Sequence, residues 1–348
     1  MFASVYNSLI SRRNLITSSI LGYGLSKSIP LKASEDTTDN PSNLDFNLPK
    51  DNLYAFGKLW GSYSDTPTFG GYQGVQFARI GNKRLLPLFG YVGFGNMQSR
   101  LNDDHSINIR GTEAGYFTDL KTGEIIDTWQ NPWTKETVEV FPFINKMMRG
   151  HLTESMPKFV MGNSSIDEPT LMNEANADLS NDTIPFILPW QKIGDQYLLT
   201  WEYSHEYTNP VTKEKWPKAH TSKIINPSEH FSFYTPVDAM NDRSIASSPF
   251  HAGFMRTSPW WPWMKMGSNI PDGALFGRMH SYQITGTVED IPRVVLDRII
   301  KDHPDLLEKQ TGWGQTNPKG TWEAYSEEVE PEIPVSYTHL TLPTKRIV

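Results

Sequence analysis

Three side chains in the second half of the chain carry the chemistry of a reaction centre: His205, Arg278 and His280. A neutral imidazole accepts a proton near neutral pH, and a guanidinium presents fixed donors to an oxyanion. Successive side chains of a strand point to opposite faces, so position parity sorts the strand residues. In the run 196–207 one face carries Tyr197, Leu199, Trp201, Tyr203, His205 and Tyr207, and the other Leu198, Thr200, Glu202, Ser204 and Glu206. In the run 275–287, Phe276, Arg278, His280, Tyr282 and Ile284 fall together. Both aromatic rows are expected to face inward, where an unpartnered polar group is costly. The partner is either internal, as in a satisfied core network, or a ligand's oxygen atoms. Asp127 shares a face with Ile125 and Trp129 and is the internal carboxylate expected near Arg278.

Other chemistries are less well represented. Asp119, Glu124, Asp127 and Glu139 supply paired carboxylates of the kind that cleave glycosides. Acids around a Thr-Gly turn more commonly cap their own backbone in solvent. His205, His220, His230, His251 and His280 are dispersed, with no H-E-x-x-H spacing, so no metal is expected. Without a G-x-S-x-G elbow, P-loop or dinucleotide fingerprint, no cofactor is expected. The absence of cysteine excludes disulfides, thiol nucleophiles and thiolate metal sites. Six cations lie near the two ends (Arg12, Arg13, Lys27, Lys32, Lys345 and Arg346), leaving 26 basic against 39 acidic side chains in the body. A surface this acidic repels phosphate backbones, which argues against a nucleic-acid partner.

The elements that must hold such a site are strands. Between Val75 and Phe143, short β-type runs alternate with Gly81-Asn82-Lys83, Lys121-Thr122-Gly123 and Asn131-Pro132, the pattern of an antiparallel meander. Asn108 to Leu120 is expected to pair with Glu124 to Gln130 across Lys121-Thr122-Gly123. Residues 147–182 form a polar excursion, and β-type runs return at 184–191, 196–207, 231–235 and 275–287. One helix is signalled, with Asp290 as N-cap candidate, Pro292 in its first turn, and Val295, Leu296, Ile299 and Ile300 at helical spacing. Trp260-Trp261-Pro262-Trp263, with Met255, Met264 and Met266, is read as buried loop packing, a cavity lid or a partner-facing loop. The fold class is therefore mainly β: an antiparallel β-barrel or sandwich with a few peripheral helices.

The ends read as addresses and linkers. Residues 1–34 lack acids and carry Arg12-Arg13 before a weakly apolar run, which resembles a twin-arginine signal and implies a periplasmic or extracellular protein. A transit peptide to an organelle is the alternative. The apolar run is too short and polar for a stable membrane span. Residues 35–52 are expected to be a polar linker, 53–335 a single β-rich domain, and 336–348 a non-native tail.

The run from Gly115 through Asp127-Thr128-Trp129-Gln130-Asn131-Pro132-Trp133-Thr134, followed by Glu139-Val140 and by Trp260 to Gly267, resembles the bacterial and fungal family catalogued as domain of unknown function 1838. That resemblance implies one β-rich domain, frequent export and no particular activity. The expected function is binding of a small apolar or aromatic molecule in an aromatic-lined cavity. Arg278 and His280 would hold its oxygenated end with help from His205 and Tyr203, and Trp201, Tyr282 and Trp261 would form walls. The alternatives are a cofactor-independent hydrolase or isomerase using the same His and Arg residues, and a structural or partner-binding exported protein.

Overall fold

In the computed structural model of the protein, the period-two text becomes one antiparallel sheet of nine strands. The structure describes residues 43–157, 183–204, 206–267, 273–284, 287–308, 310–314 and 319–333. The expected leader, the linker up to residue 42, the polar stretch 158–182, His205 and the tail 336–348 lie outside the described residues. From Leu44 onward the chain forms one compact unit.

In chain order the elements begin with helix α1 (Pro49–Trp60) and strands β1 (Thr68–Ile80), β2 (Leu86–Leu101) and β3 (Ile107–Thr118). Strands β4 (Thr128–Gln130), β5 (Thr137–Glu139), β6 (Phe143–Leu152), β7 (Ser155–Pro157), β8 (Thr183–Pro185) and β9 (Trp190–Ile193) follow. Next come β10 (Gln196–Ser204), β11 (Tyr207–Thr208), β12 (Ile224–Ile225), β13 (Ser228–Pro236) and the short helix α2 (Val237–Asn241). The chain continues with β14 (His251–Ser258), β15 (Gly273–Ile284), α3 (Arg293–Asp302) and α4 (Thr321–Glu328). The large sheet has the order β6-β3-β2-β1-β15-β14-β13-β10-β9, with β4–β5, β7–β8 and β11–β12 as separate ribbons. Its last strand in sequence, β15, sits at the centre and joins two meanders.

Side chains of β6 and of β10, near opposite edges of this sheet, line one cavity, so the sheet curls around it. Among the described residues its edge strands β6 and β9 do not pair, so the curl is open and its two halves face each other as in a sandwich. The expected mainly β, antiparallel fold with few helices is what forms.

Two apolar plugs fill the ends of the concave face. At one end Phe89, Phe117 and Leu275 meet Trp261, Trp263 and Met264 of the loop after β14, together with Trp322 and Tyr325 of α4. At the other, Leu199, Phe233 and Ala252 meet Leu53, Phe56 and Leu59 of α1. The convex face of β2 and β3, with Val92, Phe94, Ala114 and Tyr116, is covered by Val295, Leu296 and Ile299 of α3.

Helix α1 was expected to be partly linker, yet Leu44 and Asn52 are buried and the helix is enclosed from Asn52 to Leu59. Pro49, at its first position, is pre-set for a helical φ and has no N–H to satisfy. A helix enclosed on every side must satisfy its polar residues internally. Asn52 donates to the carbonyls of Phe46 at 2.8 Å and Leu48 at 2.9 Å, and accepts from the Leu188 N–H at 2.9 Å. Lys58 Nζ donates to the carbonyls of Ala239, Met240 and Asp242 at the end of α2. Burial holds this ammonium down at a pKa of about 8.

Two local expectations shift. The turn at Lys121-Thr122-Gly123 forms, with Gly123 at φ 76° and its N–H bonded to the Asp119 carbonyl at 2.9 Å. Its return partner contributes only the bridge Thr118–Ile125, because both edges of β3 are taken by β2 and β6. Residues 128–130 pair instead with 137–139. The helix signalled after Asp290 is α3, but Asp290 caps the preceding turn by accepting from the Thr287 N–H, and Pro292 takes the N-cap position.

Candidate functional site

Between the two plugs the concave face is hollow. The cavity measures about 440 Å³, a size that suits a small molecule. One side is apolar, built from Trp60 of α1, Trp201 of β10, Phe231 and Phe233 of β13, and Phe254 of β14. These rings pack on one another, Phe231 against Phe254 with centroids 4.5 Å apart and Trp201 against Phe231 at 5.8 Å. They form a fixed aromatic wall.

The other side is polar and centres on Glu113 of β3. Tyr72 of β1 lies in one cross-strand row with Gly93 and Gly115, since Tyr72 pairs with Gly93 and Gly93 with Gly115. A Cβ at Gly93 would collide with the Tyr72 phenol, and one at Gly115 with the Tyr91 hydroxyl. Those two glycines make room for two phenols laid across the sheet. The rings of Tyr72 and Tyr91 stack with centroids 5.6 Å apart at 27°. The Tyr72 hydroxyl donates to the Ala114 carbonyl at 2.9 Å, and Tyr91 and Glu113 both lie close enough to raise its pKa. Glu113 has Gly95 opposite it on β2 and Asn145 opposite it on β6, and both neighbours line the cavity. Across the hollow, Glu229 and Arg256 are direct strand partners with Oε1 and Nε 3.1 Å apart.

Burial sets the protonation states here. Glu113 lies deep among protein atoms with one face on the cavity, and desolvation pushes its carboxyl up to about 7. The neighbouring Tyr72 phenol pulls the other way, Glu229 adds to the rise, and Arg256 opposes it. Desolvation likewise raises the phenols of Tyr72 and Tyr91, so both keep their protons at neutral pH. The site therefore pairs a carboxyl that exchanges its proton near neutrality with two protonated phenols, of which Tyr72 gives its proton to the Ala114 carbonyl. Among the described residues no group of three or more acidic or imidazole side chains is placed to hold a metal ion. No helix among them is long and apolar enough to cross a membrane.

The family model for proteins of unknown function designated DUF1838 matches residues 65–329. The chain belongs to this family. No curated protein matches it. The DUF1838 region holds every strand of the large sheet and both sides of the cavity, whereas α1, which brings Trp60, precedes it.

Within the DUF1838 sheet the sequence-predicted residues separate. Trp201 stands in the cavity wall, as its parity on β10 implies, with Tyr197 and Leu199 buried on the same face. Tyr203 belongs to β10, and His205 lies outside the described residues. On β15 the parity is inverted relative to expectation. Arg278 and His280 are exposed, and Met279, Ser281 and Gln283 face the cavity. Tyr282 packs on the convex face with its ring over Gly71. The inward row of β15 looked polar and small because it lines a hollow, and Gly277 in that row makes room for the Gln76 amide.

Asp127 is exposed and pairs with Arg298 of α3, so it is not a partner of Arg278. Trp261 is 2% exposed and belongs to the plug beyond the cavity wall. Glu113, Tyr72, Tyr91 and Arg256 were missed. A usable signal was present: Gly90, Gly93, Gly95, Gly111 and Gly115 interrupt two β-type runs, and glycine inside a strand marks close approach by another group.

Proposed function

We propose that this protein binds a small, largely apolar and neutral molecule carrying a carbonyl or hydroxyl oxygen, in the cavity of its curled sheet. The observation that carries the reading is the two-sided cavity, aromatic along Trp201, Phe231 and Phe254 and polar at Tyr72, Tyr91 and Glu113. Burying an apolar ring against the aromatic wall drives binding, and the Tyr91 phenol orients the oxygen. Arg256 is already paired with Glu229, and Glu113 carries part of a negative charge at neutral pH, so a carboxylate ligand is disfavoured. The polar end thus lies at Tyr72, Tyr91 and Glu113, in place of the Arg278 and His280 pair expected from sequence.

Titration with 2-naphthol and with 2-naphthoate at pH 8, followed by quenching of tryptophan fluorescence, tests this reading. Saturable binding of 2-naphthol, at least tenfold tighter than 2-naphthoate and weakened by Phe231→Ala, is expected. Equal affinity for the two, or binding indifferent to Phe231→Ala, contradicts it. Export by the twin-arginine leader belongs to the same proposal, because Arg12-Arg13 and the acid-free segment support it. Replacing both arginines by lysine should leave the protein in the cytoplasm on cell fractionation.

A further inference from the structure

We infer that the same cavity is catalytic: Glu113 takes a proton from the carbon next to the carbonyl of a bound ketone and returns it to that carbon or to the far carbon of a conjugated enolate, with Tyr91 as donor to its oxygen. This rests on the binding reading and adds an activity to it. A carboxylate is an effective carbon base when it is desolvated, held, and set beside a donor that stabilises the developing enolate oxygen. The cavity supplies each part. Glu113 faces the hollow across from Gly95, so no side chain of that neighbour stands between the carboxyl and a ligand. Tyr72, its own proton held by the Ala114 carbonyl, stacks on Tyr91 and lies beside Glu113, where it lowers the carboxyl's pKa, and is a positioning residue. Tyr91 stacks on Tyr72, lines the cavity and keeps its phenolic proton. The charged and titratable groups that act on Glu113 are Tyr72, Glu229 and Arg256, and Glu113 in turn acts on Tyr91.

The step balances without a cofactor. The carboxylate takes the proton from the carbon beside the carbonyl. The C–H electron pair becomes the carbon–carbon π bond of the enolate, and the carbonyl π pair moves to oxygen, where the Tyr91 hydroxyl donates a hydrogen bond. The protonated Glu113 then returns its proton. Return to the same carbon gives exchange with solvent, and return to the far carbon of a β,γ-unsaturated ketone gives the conjugated isomer. Nothing is oxidised or reduced. A carboxyl that titrates near 7 suits this role, because a base poised near the working pH both takes and gives a proton readily. The substrate class is a neutral, mostly apolar cyclic or aromatic ketone.

The test uses the intact chain with 2-tetralone and 2-indanone, whose hydrogens beside the carbonyl exchange for deuterium in D₂O. Exchange is followed by proton NMR and binding by tryptophan fluorescence on the same samples. Wild type should exceed the buffer rate by about 100-fold or more. Glu113→Gln should bind both ketones and lose the acceleration, and Tyr91→Phe should reduce it at least tenfold. Tyr72→Phe removes a polar neighbour that lowers the Glu113 pKa, so its rate profile should rise at a higher pH than that of wild type, a shift that a merely structural role would not produce. Binding of the ketones with exchange no faster than buffer, or full acceleration in Glu113→Gln, overturns the catalytic inference and leaves the binding reading intact. No binding of either ketone overturns both.

Discussion

The plugged ends and the hollow middle of the concave face stand on the same strands, and they differ in what the sequence places there. On β2 the inward row runs Phe89, Tyr91, Gly93, Gly95 and Met97. Phe89 is 1% exposed and packs against Phe117, Trp261 and Trp263. Four and six residues further on, the same row has glycines, and a Tyr–Tyr–Glu cluster occupies the space. Close-packed aromatics account for the stability of the ends, since voids in a protein interior cost contacts on every side. In the middle the chain keeps a void and a desolvated carboxyl, both of which cost stability and neither of which holds the ends together. A sheet that gives up packing in one place and turns a desolvated carboxyl toward it has the features of a ligand site, and this is the region proposed to bind one.

The largest expected effect lies in the plug. Trp263→Ala removes a ring that is 1% exposed among Phe89, Phe117, Trp129 and Trp261, and should cost about 3–5 kcal/mol in chemical denaturation. Phe231→Ala, at the cavity wall, removes a ring already facing empty space and should cost less than Trp263→Ala. Equal costs would erase the distinction between plug and hollow.

Next comes Glu113. Its folded-state pKa, about 7, lies above the ordinary carboxyl value, so the folded protein holds the proton more tightly than the unfolded chain does. The stabilisation from the protonated form is fully present below about pH 4.5 and is lost as pH rises to about 7. Glu113→Gln should therefore be more stable than wild type at pH 8 by roughly 2–3 kcal/mol, with the gain fading toward pH 4.5. Denaturation midpoints measured across that range decide it, and a variant less stable at pH 8 would contradict the assignment. The smallest effect is expected on the convex side of β15, where Arg278→Met should change stability by less than about 0.5 kcal/mol and leave ligand binding as it was.

Much of this architecture was legible in the sequence. Turn chemistry at Lys121-Thr122-Gly123, the helical spacing of Val295, Leu296 and Ile299, and the aromatic parity of β10 all carry local signals that tertiary packing leaves in place. The site was less legible, because parity gives two faces without saying which one is concave. On β10 the bulky row faces inward and forms the wall. On β15 the bulky row, with Phe276, Arg278 and His280, faces away, because the inner row must leave space. Helix α1 escaped notice for a related reason: Asn52 and Lys58 look solvent-facing in sequence, and only the carbonyls of Phe46, Leu48 and α2 make their burial tolerable. Glu113 sat in a run of apparently featureless strand, and its significance comes from Tyr72 and Tyr91 on the two preceding strands, whose rings reach it only once the three strands pair in register.

The most direct test of the hollow middle as the site is to fill it. A Cβ built at Gly95 meets only the Thr112 carbonyl oxygen at 3.7 Å, an ordinary contact, so a larger side chain there projects into the cavity beside Glu113 without displacing backbone. Affinity for 2-tetralone would be measured by tryptophan fluorescence for wild type, Gly95→Leu and Arg278→Met, with the melting temperature of each. The expected result is a folded Gly95→Leu protein that has lost at least tenfold in affinity, beside an Arg278→Met protein that binds as wild type does. Undiminished binding by Gly95→Leu, or loss of binding by Arg278→Met alone, would place the ligand elsewhere and contradict the account.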